Sequence, residues 1–563
     1  MKKCCLAQSF SILFTLLFIT NSYAVEPPQI VEQAGDEFVD KEEYKVDLPA
    51  QNKLSTTAYD GSIQVDSIQF QGGSVFEFTL LAEKVKPLIG QRVSKEDIVK
   101  ALSSVTEMYQ QAGYVLSFAF LPKQDINQGR LTISLVEGYV IKSEVVTDNE
   151  DVRKRIERFV AKIQSEKPLT KATFERYVAL IERTPGYTFK VNVPKPKTVN
   201  GATTIRIEEV KSKKYDLTVG LEDSKEDEPS VLVGATMQSM TSYADKLTAS
   251  MLIPNGVTDT YYHINYQQEI GSEGLIWDVS ANQFESHGDD RMLLASIPID
   301  YEASKKRERF SVGLKYPILL SAKSSWWLGS KLHHLNEKNH YELTRTDGIG
   351  HSVGIDKNLR YSAIEVNTQW MKKTRQNILV ASGKVKQGIE IGNNKNEFID
   401  ANGSRQGAES THFNLMSFNG AWRHLISPQW RLQTKGNLFL SDDVLPSSEQ
   451  VRYGGQYFGR GYSDSQAPGD RGYAAEVELR YIQTLPTIFV KRIEPYILVD
   501  AARSKLESTD KHYALSSVAV GADFSDAKHY TLGFEYAKPL GDAHFEAGDR
   551  SPIYNIRVRW NFN

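Results

Sequence analysis

The chain is almost devoid of cysteine: two in 563 residues, Cys4 and Cys5, both near the amino end. They lie within a stretch that has the three parts of a secretory signal peptide. Lys2 and Lys3 give a positive start, Leu6 to Ile19 is mostly apolar, and Ser22-Tyr23-Ala24 is a small-x-small cleavage site. Residues 1–24 are therefore read as a signal peptide, and nothing from Val25 onward carries a thiol. That excludes disulfides, thiolate metal sites and a thiol nucleophile. A large exported chain without cysteine fits a bacterial envelope better than an animal extracellular space. Excess charge of one sign is also missing. With 67 Lys+Arg against 70 Asp+Glu the formal charge is −3, and loss of Lys2 and Lys3 makes it two units more negative, so there is no electrostatic case for nucleic acid. After the signal no apolar run reaches the roughly 18 residues of a transmembrane helix. Two routes remain, a soluble multidomain protein or a closed β-barrel.

Residues 25–60 are polar and mixed, opened by Pro27-Pro28. Ile30, Val31, Ala34 and Phe38 suggest an amphipathic helix interrupted by Gly35, and a linker reads equally well. From Ser62 to Val140 the order is β-α-α-β-β. Ser62 to Phe70 has strand character, Phe78 to Ile89 reads as a helix, and Ser94-Lys-Glu-Asp97 starts a second helix that Gly113 stops. Ser117 to Leu121 and the alternating Leu131, Ile133 and Leu135 give two strands. The order repeats over residues 141–211. Ile141 to Val146 is a strand, Val152 to Ile163 and Phe174 to Ile181 are helices, and Phe189 to Val193 and Thr203 to Glu208 are strands. A repeat of this size implies two sibling modules in tandem.

From residue 212 to 563 the period changes to two. Tyr215, Leu217, Val219 and Leu221 alternate with polar or small residues, as do Leu275, Trp277, Val279 and Ala281, then Tyr530, Leu532, Phe534 and Tyr536, and finally Ile556, Val558, Trp560 and Phe562. A soluble antiparallel sheet also alternates. Here the pattern persists without a clear helix, the polar face is charged in strand after strand, and Tyr and Trp recur near strand ends. These features predict a transmembrane antiparallel β-barrel, of between fourteen and eighteen strands and with sixteen as the expected number.

Enzyme motifs fail on context. Gly350-His-Ser352-Val-Gly354 has the letters of a nucleophile elbow but leads into another extended stretch instead of a helix. His333, His334, Glu337 and His340 match no zinc spacing and are read as solvated loop residues. The glycine-rich "GGQYFGRGYSDSQAPGDRGY", Gly454 to Tyr473, lacks the Lys-Ser/Thr of a phosphate loop and opens no helix. No enzyme activity, metal or cofactor is expected.

Three segments together resemble the two-partner secretion transporters, the TpsB family of Gram-negative outer membranes. "GRLTISLVEGYV", Gly129 to Val140, is similar to the closing strand of a POTRA domain, and "PLTKATFERYVALIERTPGYTFKV", Pro168 to Val191, is similar to the second POTRA of these transporters. Gly459-Arg460-Gly461-Tyr462 followed by Gly469-Asp-Arg-Gly-Tyr473 resembles the characteristic barrel loop of the superfamily. The resemblance covers almost the whole exported chain. It implies a POTRA domain at residues 61–140, a second at 141–211, and an outer-membrane barrel at 212–563 with a lumen-inserted loop around 441–472. Arg460 would be the loop arginine and Asp500, in "EPYILVDAA", its acidic partner, with Glu476 and Glu478 assisting; Gly461, Tyr462 and Asp470 complete the latch. Two departures are visible. Gly459 stands where the family has an apolar residue, so Phe458 would supply that contact, and Asn563 follows Phe562 where such barrels end on the aromatic.

The family's plug helix would fall on Ile30, Val31, Ala34 and Phe38. The implied function is a monomeric outer-membrane pore with its POTRA domains in the periplasm. It would bind an unfolded TpsA exoprotein of the haemolysin, adhesin, contact-dependent toxin or protease kind and pass it outward without ATP. The alternative is a barrel-assembly insertase of the same superfamily, which a weakly paired seam between the first and last barrel strands would favour.

Overall fold

The computed structural model describes residues 62–124, 128–224, 230–253, 259–294, 297–346, 352–455, 458–545 and 548–562. The signal peptide expected at residues 1–24 and the helix expected at Ile30, Val31, Ala34 and Phe38 both lie outside them.

Two α/β modules come first. The first holds helices α1 (Phe78–Val85) and α2 (Lys95–Gln111) against a sheet in which Ser67–Gln71 runs parallel to Arg130–Val136 and Phe118–Phe120 pairs antiparallel to the latter. The helix expected over Phe78 to Ile89 is α-helical to Val85 and tightens to a 3₁₀ turn at Lys86–Leu88, where Pro87 removes a backbone donor. α2 starts on the capping box: Asp97 N–H donates to Ser94 Oγ at 3.2 Å and Ser94 N–H to Asp97 Oδ2 at 3.0 Å. The second module repeats the layout, with α3 (Glu150–Ser165) and α4 (Lys171–Glu182) on a sheet where Tyr139–Val146 is parallel to Ala202–Ser212 and Tyr187–Asn192 antiparallel to it. Tyr139 and Val140 belong to this second sheet, so the junction falls at Glu137-Gly138, slightly before the expected boundary.

That Glu-Gly pair explains the end of the first motif. Glu137 accepts from Ser74 N–H (2.7 Å), Ser74 Oγ (2.6 Å), Val75 N–H (2.8 Å) and Tyr109 Oη (3.0 Å). A Cβ on Gly138 would stand 2.4 Å from the Leu116 carbonyl oxygen, so only glycine lets the two modules approach. Partial burial raises the Glu137 pKa, but the hydrogen bonds from Ser74, Val75 and Tyr109 outweigh it and leave the carboxyl below its ordinary value.

Sixteen strands, from Tyr215–Ser224 to Ile553–Phe562, close an antiparallel barrel. The last strand pairs with the first over eight registered positions, Leu217 with Phe562 through Ser224 with Asn555. This is as long as the ladder between the first strand and Ser230–Gln238. Its hydrophobicity is inverted. Phe310, Val312, Leu314, Tyr316 and Ile318 are exposed on the outside, whereas Arg307 and Glu337 are buried inside. Rings pair near the module-side rim, Trp430 with Tyr481 and Tyr530 with Trp560. An apolar outer band, aromatic rims and a charged interior belong to a barrel solvated by lipid. Strands such as Ile297–Leu320 and Ser324–Arg345 exceed the 9–11 residues needed to cross and project past the band on the side away from the modules.

The second module is bolted to the barrel rim. Arg155 lies 1 % exposed and makes a bidentate pair with Glu269, Nε to Oε2 at 3.0 Å and Nη2 to Oε1 at 3.1 Å. It also donates to Leu180 O at 3.0 Å and to Thr184 Oγ1. Arg176 donates to Pro317 O (3.0 Å) and Glu273 O (2.8 Å), and Leu320 of the barrel enters the module's core.

Two outcomes are expected. Glu269→Ala leaves a buried guanidinium unpaired and should cost about 3–5 kcal/mol at this joint, seen as faster amide hydrogen exchange in α3 and α4 while the first module is unchanged. Because its folded pKa is depressed, Glu137 stabilises the first module at pH above the ordinary 4.5, and this is lost as pH falls through the lowered folded value. Glu137→Ala should therefore cost about 1–3 kcal/mol at neutral pH and flatten the acid limb of the module's unfolding profile.

Candidate functional site: a loop folded into the barrel

Between the strands Trp430–Leu440 and Arg471–Tyr481 the chain turns back into the lumen, stiffened by a short hairpin pairing Val451–Tyr453 with Ala467–Gly469. Arg460 lies near its tip and is 8 % exposed. Gly459 and Gly461 press its backbone to the wall: Gly459 has φ +98°, and a Cβ on Gly461 would meet Pro539 N at 2.6 Å. The Arg460 N–H donates to Asp500 Oδ2 at 2.9 Å, and Asp500 Oδ1 accepts from Ser517 Oγ at 2.6 Å. The guanidinium reaches past Asp500, with Nη1 donating to Glu535 Oε2 at 3.3 Å and Nε lying 3.6 Å from Glu476 Oε2. Glu535 is itself held by Tyr496 Oη (2.7 Å) and Asn555 Nδ2 (3.1 Å).

The expected residues gather at this place, with two corrections of role. Asp500 was expected to pair with the arginine side chain; it holds the backbone instead. With glycine on both sides, the main chain comes close enough for the nearest carboxylate to take the N–H, so the long side chain must find its partner farther off. Glu478 does not assist Arg460 directly. It faces the lumen beside Glu476 but takes Arg480, Nε to Oε1 at 2.7 Å, within a set that adds Glu494 and Asp523. Glu535 was missed, although its signal is in the sequence: a carboxylate at an inward position between Phe534 and Tyr536, which face out.

Tyr462 is buried and its Oη donates to Asp542 O at 3.0 Å while accepting from Gly541 N–H at 3.0 Å. Phe458 packs on Tyr453, ring centroids 6.0 Å apart, which supplies the apolar contact that Gly459 cannot. Asp470, at one end of the loop, ties it to the other end and to the neighbouring wall, accepting from Leu445 N–H and Glu507 N–H, each at 2.8 Å. The other candidates are placed elsewhere. His333, His334, Glu337 and His340 are on the strand Ser324–Arg345 and not in a loop, so His333 and His334 face opposite ways across the wall. Ser352 begins a strand and donates to Glu342 Oε1, without the strand-turn-helix a nucleophile elbow needs.

A lipid-solvated barrel with a loop pinned inside it and α/β modules on one rim defines an integral membrane protein of the β-barrel class. Known proteins agree. A POTRA domain profile of the ShlB type matches residues 63–138, and that of the haemolysin secretion/activation protein ShlB/FhaC/HecB matches residues 201–524, more than half of the chain. The chain belongs to the haemolysin secretion/activation protein ShlB/FhaC/HecB family, and it is an outer-membrane transporter that secretes a TpsA-type exoprotein. It is 21 % identical over 500 residues to the heme/hemopexin transporter protein HuxB of Haemophilus influenzae, covering 85 % of this chain and 83 % of that protein. In fold it is similar to CdiB from Escherichia coli, with a TM-score of 0.68 and 16 % identity over 91 % of this chain and 92 % of that one. It is also similar to CdiB from Acinetobacter baumannii, with a TM-score of 0.61 and 13 % identity over 95 % and 96 %.

If Arg460 and Glu535 act as one unit, Arg460→Ala and Glu535→Ala should slow secretion to a similar degree, and the double variant should be no worse than either. Export kinetics of the exoprotein from cells with matched transporter levels check this.

Proposed function

We propose that the two modules are tandem POTRA domains in the periplasm that receive the unfolded exoprotein and deliver it to the barrel mouth, while the Arg460 loop is the latch that gives way as the chain passes. The observation that carries this reading is the order of parts: two modules of one topology in series, the second fixed to the rim of a barrel whose lumen holds a pinned loop. Open strand edges in both modules suit an extended chain, with main-chain hydrogen bonds for affinity and side-chain pockets for selectivity. No nucleotide is at hand on that side of the envelope, so folding of the exported chain outside biases its direction. The barrel closes on itself between its first and last strands, so no second copy is needed to complete its sheet, which supports a monomer.

The insertase alternative depends on a weak seam, and eight registered pairs there speak against it. A solute porin would have no use for the modules.

Deleting residues 62–212 should abolish secretion while the barrel still assembles in the outer membrane, and removing the whole transporter should trap its exoprotein inside the cell. Immunoblots of culture medium and cell fractions read both. Full secretion by a module-less barrel would rule the delivery role out.

A further inference from the structure

The Arg460 contacts hold the loop's tip, but a second set of charges holds its base on another sector of the wall. Glu449, in the loop, is 8 % exposed. It accepts from Lys386 Nζ at 2.8 Å on each carboxylate oxygen and from Tyr361 Oη at 2.6 Å, and Arg309 Nη2 stands 3.5 Å away. Tyr361 Oη also lies 3.1 Å from Ser448 Oγ. These partners come from three strands, Ile297–Leu320, Ser352–Lys373 and Asn377–Ile389. None of the three holds Arg460, whose partners are on Arg471–Tyr481, Arg492–Leu506 and Tyr530–Pro539. Each foot also has its own apolar seat: Leu445 with Tyr361 and Phe413 beside Glu449, and Tyr453, Tyr462 and Leu515 beside Arg460. The charges are reversed between the feet. At the tip the loop brings the cation and the wall the carboxylates; at the base the loop brings the carboxylate and the wall the cations.

We propose that Glu449 is a second latch, independent of Arg460, so that the loop is a two-footed strap across the lumen which must let go of both walls for the exoprotein to pass. Glu449 acts by positioning the loop. Burying its carboxylate without Lys386 and Tyr361 is unfavourable, which keeps the base seated even when the tip is free. Reversed polarity makes the feet poor substitutes for one another, because neither loop charge can settle on the other's wall without facing like charge. This inference rests on reading the Arg460 loop as a latch, and the test separates the two.

The exported chain has no cysteine of its own, so single cysteines report each foot cleanly. Ser447→Cys marks the base and Ser463→Cys the tip, and the readout is the rate of reaction with a membrane-impermeant maleimide in purified, folded transporter. Glu449→Gln should speed labelling at Ser447→Cys by on the order of ten- to a hundredfold and leave Ser463→Cys nearly unchanged. Arg460→Ala should do the reverse. Glu449→Lys combined with Lys386→Glu should restore slow labelling at the base, which also answers a misfolded single variant. The second latch is overturned if Glu449→Gln leaves the base rate unaltered, or if it frees tip and base together as Arg460→Ala does. No effect of Arg460→Ala at the tip would sink the latch reading itself, whatever Glu449 does.

Discussion

Placing a guanidinium inside a membrane barrel costs several kcal/mol of lost hydration unless carboxylates are waiting for it; here Glu476 and Glu535 on two strands take the side chain, and Asp500 on a third takes the backbone N–H. Glu476, Asp500 and Glu535 stand at inward positions whose neighbours Val477, Val499 and Phe534 face lipid. The same alternation therefore builds both the lipid surface and the charged lumen. A one-residue slip of any of these strands would turn a carboxylate outward to lipid and a valine or phenylalanine toward Arg460, so the loop's seat and the barrel's register depend on each other. Closure of the sheet completes the logic. In lipid every backbone donor and acceptor must be met within the protein, and the pairing of the last strand with the first leaves no open edge.

The joint between the second module and the rim follows the same physics on the water side. Arg155 is buried, so its bidentate pairing with Glu269 and its bonds to Leu180 and Thr184 leave few freedoms for the module to swing. On the proposed reading, a receiving domain fixed in this way delivers an extended chain to the mouth at a set place. The first module meets the second at Glu137-Gly138, where a carboxylate fastens the near side and the absence of a side chain permits the close approach, and Leu116 enters the second module's core.

Much of this was legible in the chain. Period-two alternation in Tyr530 to Tyr536 and Ile556 to Phe562 reports a wall with two unlike faces, and the Ser94–Asp97 box announces its helix because both partners are local. The glycines around Arg460 marked a close approach of main chain to wall. What could not be read was which carboxylate met which part of the arginine. Asp500, Glu476, Glu478 and Glu535 all look alike as inward acids, and their distances depend on strand stagger across the barrel, which no local pattern carries. Glu449 was hidden for the same reason, its partners lying 63 to 88 positions away for Lys386 and Tyr361. The histidines at 333, 334 and 340 misled because a strand running beyond the bilayer loses its apolar face and reads as a loop.

The most direct test of a lumen closed by its own loop is single-channel conductance in planar bilayers. The comparison is between the folded chain lacking residues 25–60 and the same chain with residues 441–470 replaced by a short turn, so that no amino-terminal plug confuses the result. Small or flickering currents from the first and large, steady ones from the second are the expected outcome. Equal, wide-open conductance from both would mean that the loop does not close the path, and the account built on Arg460 would have to be given up.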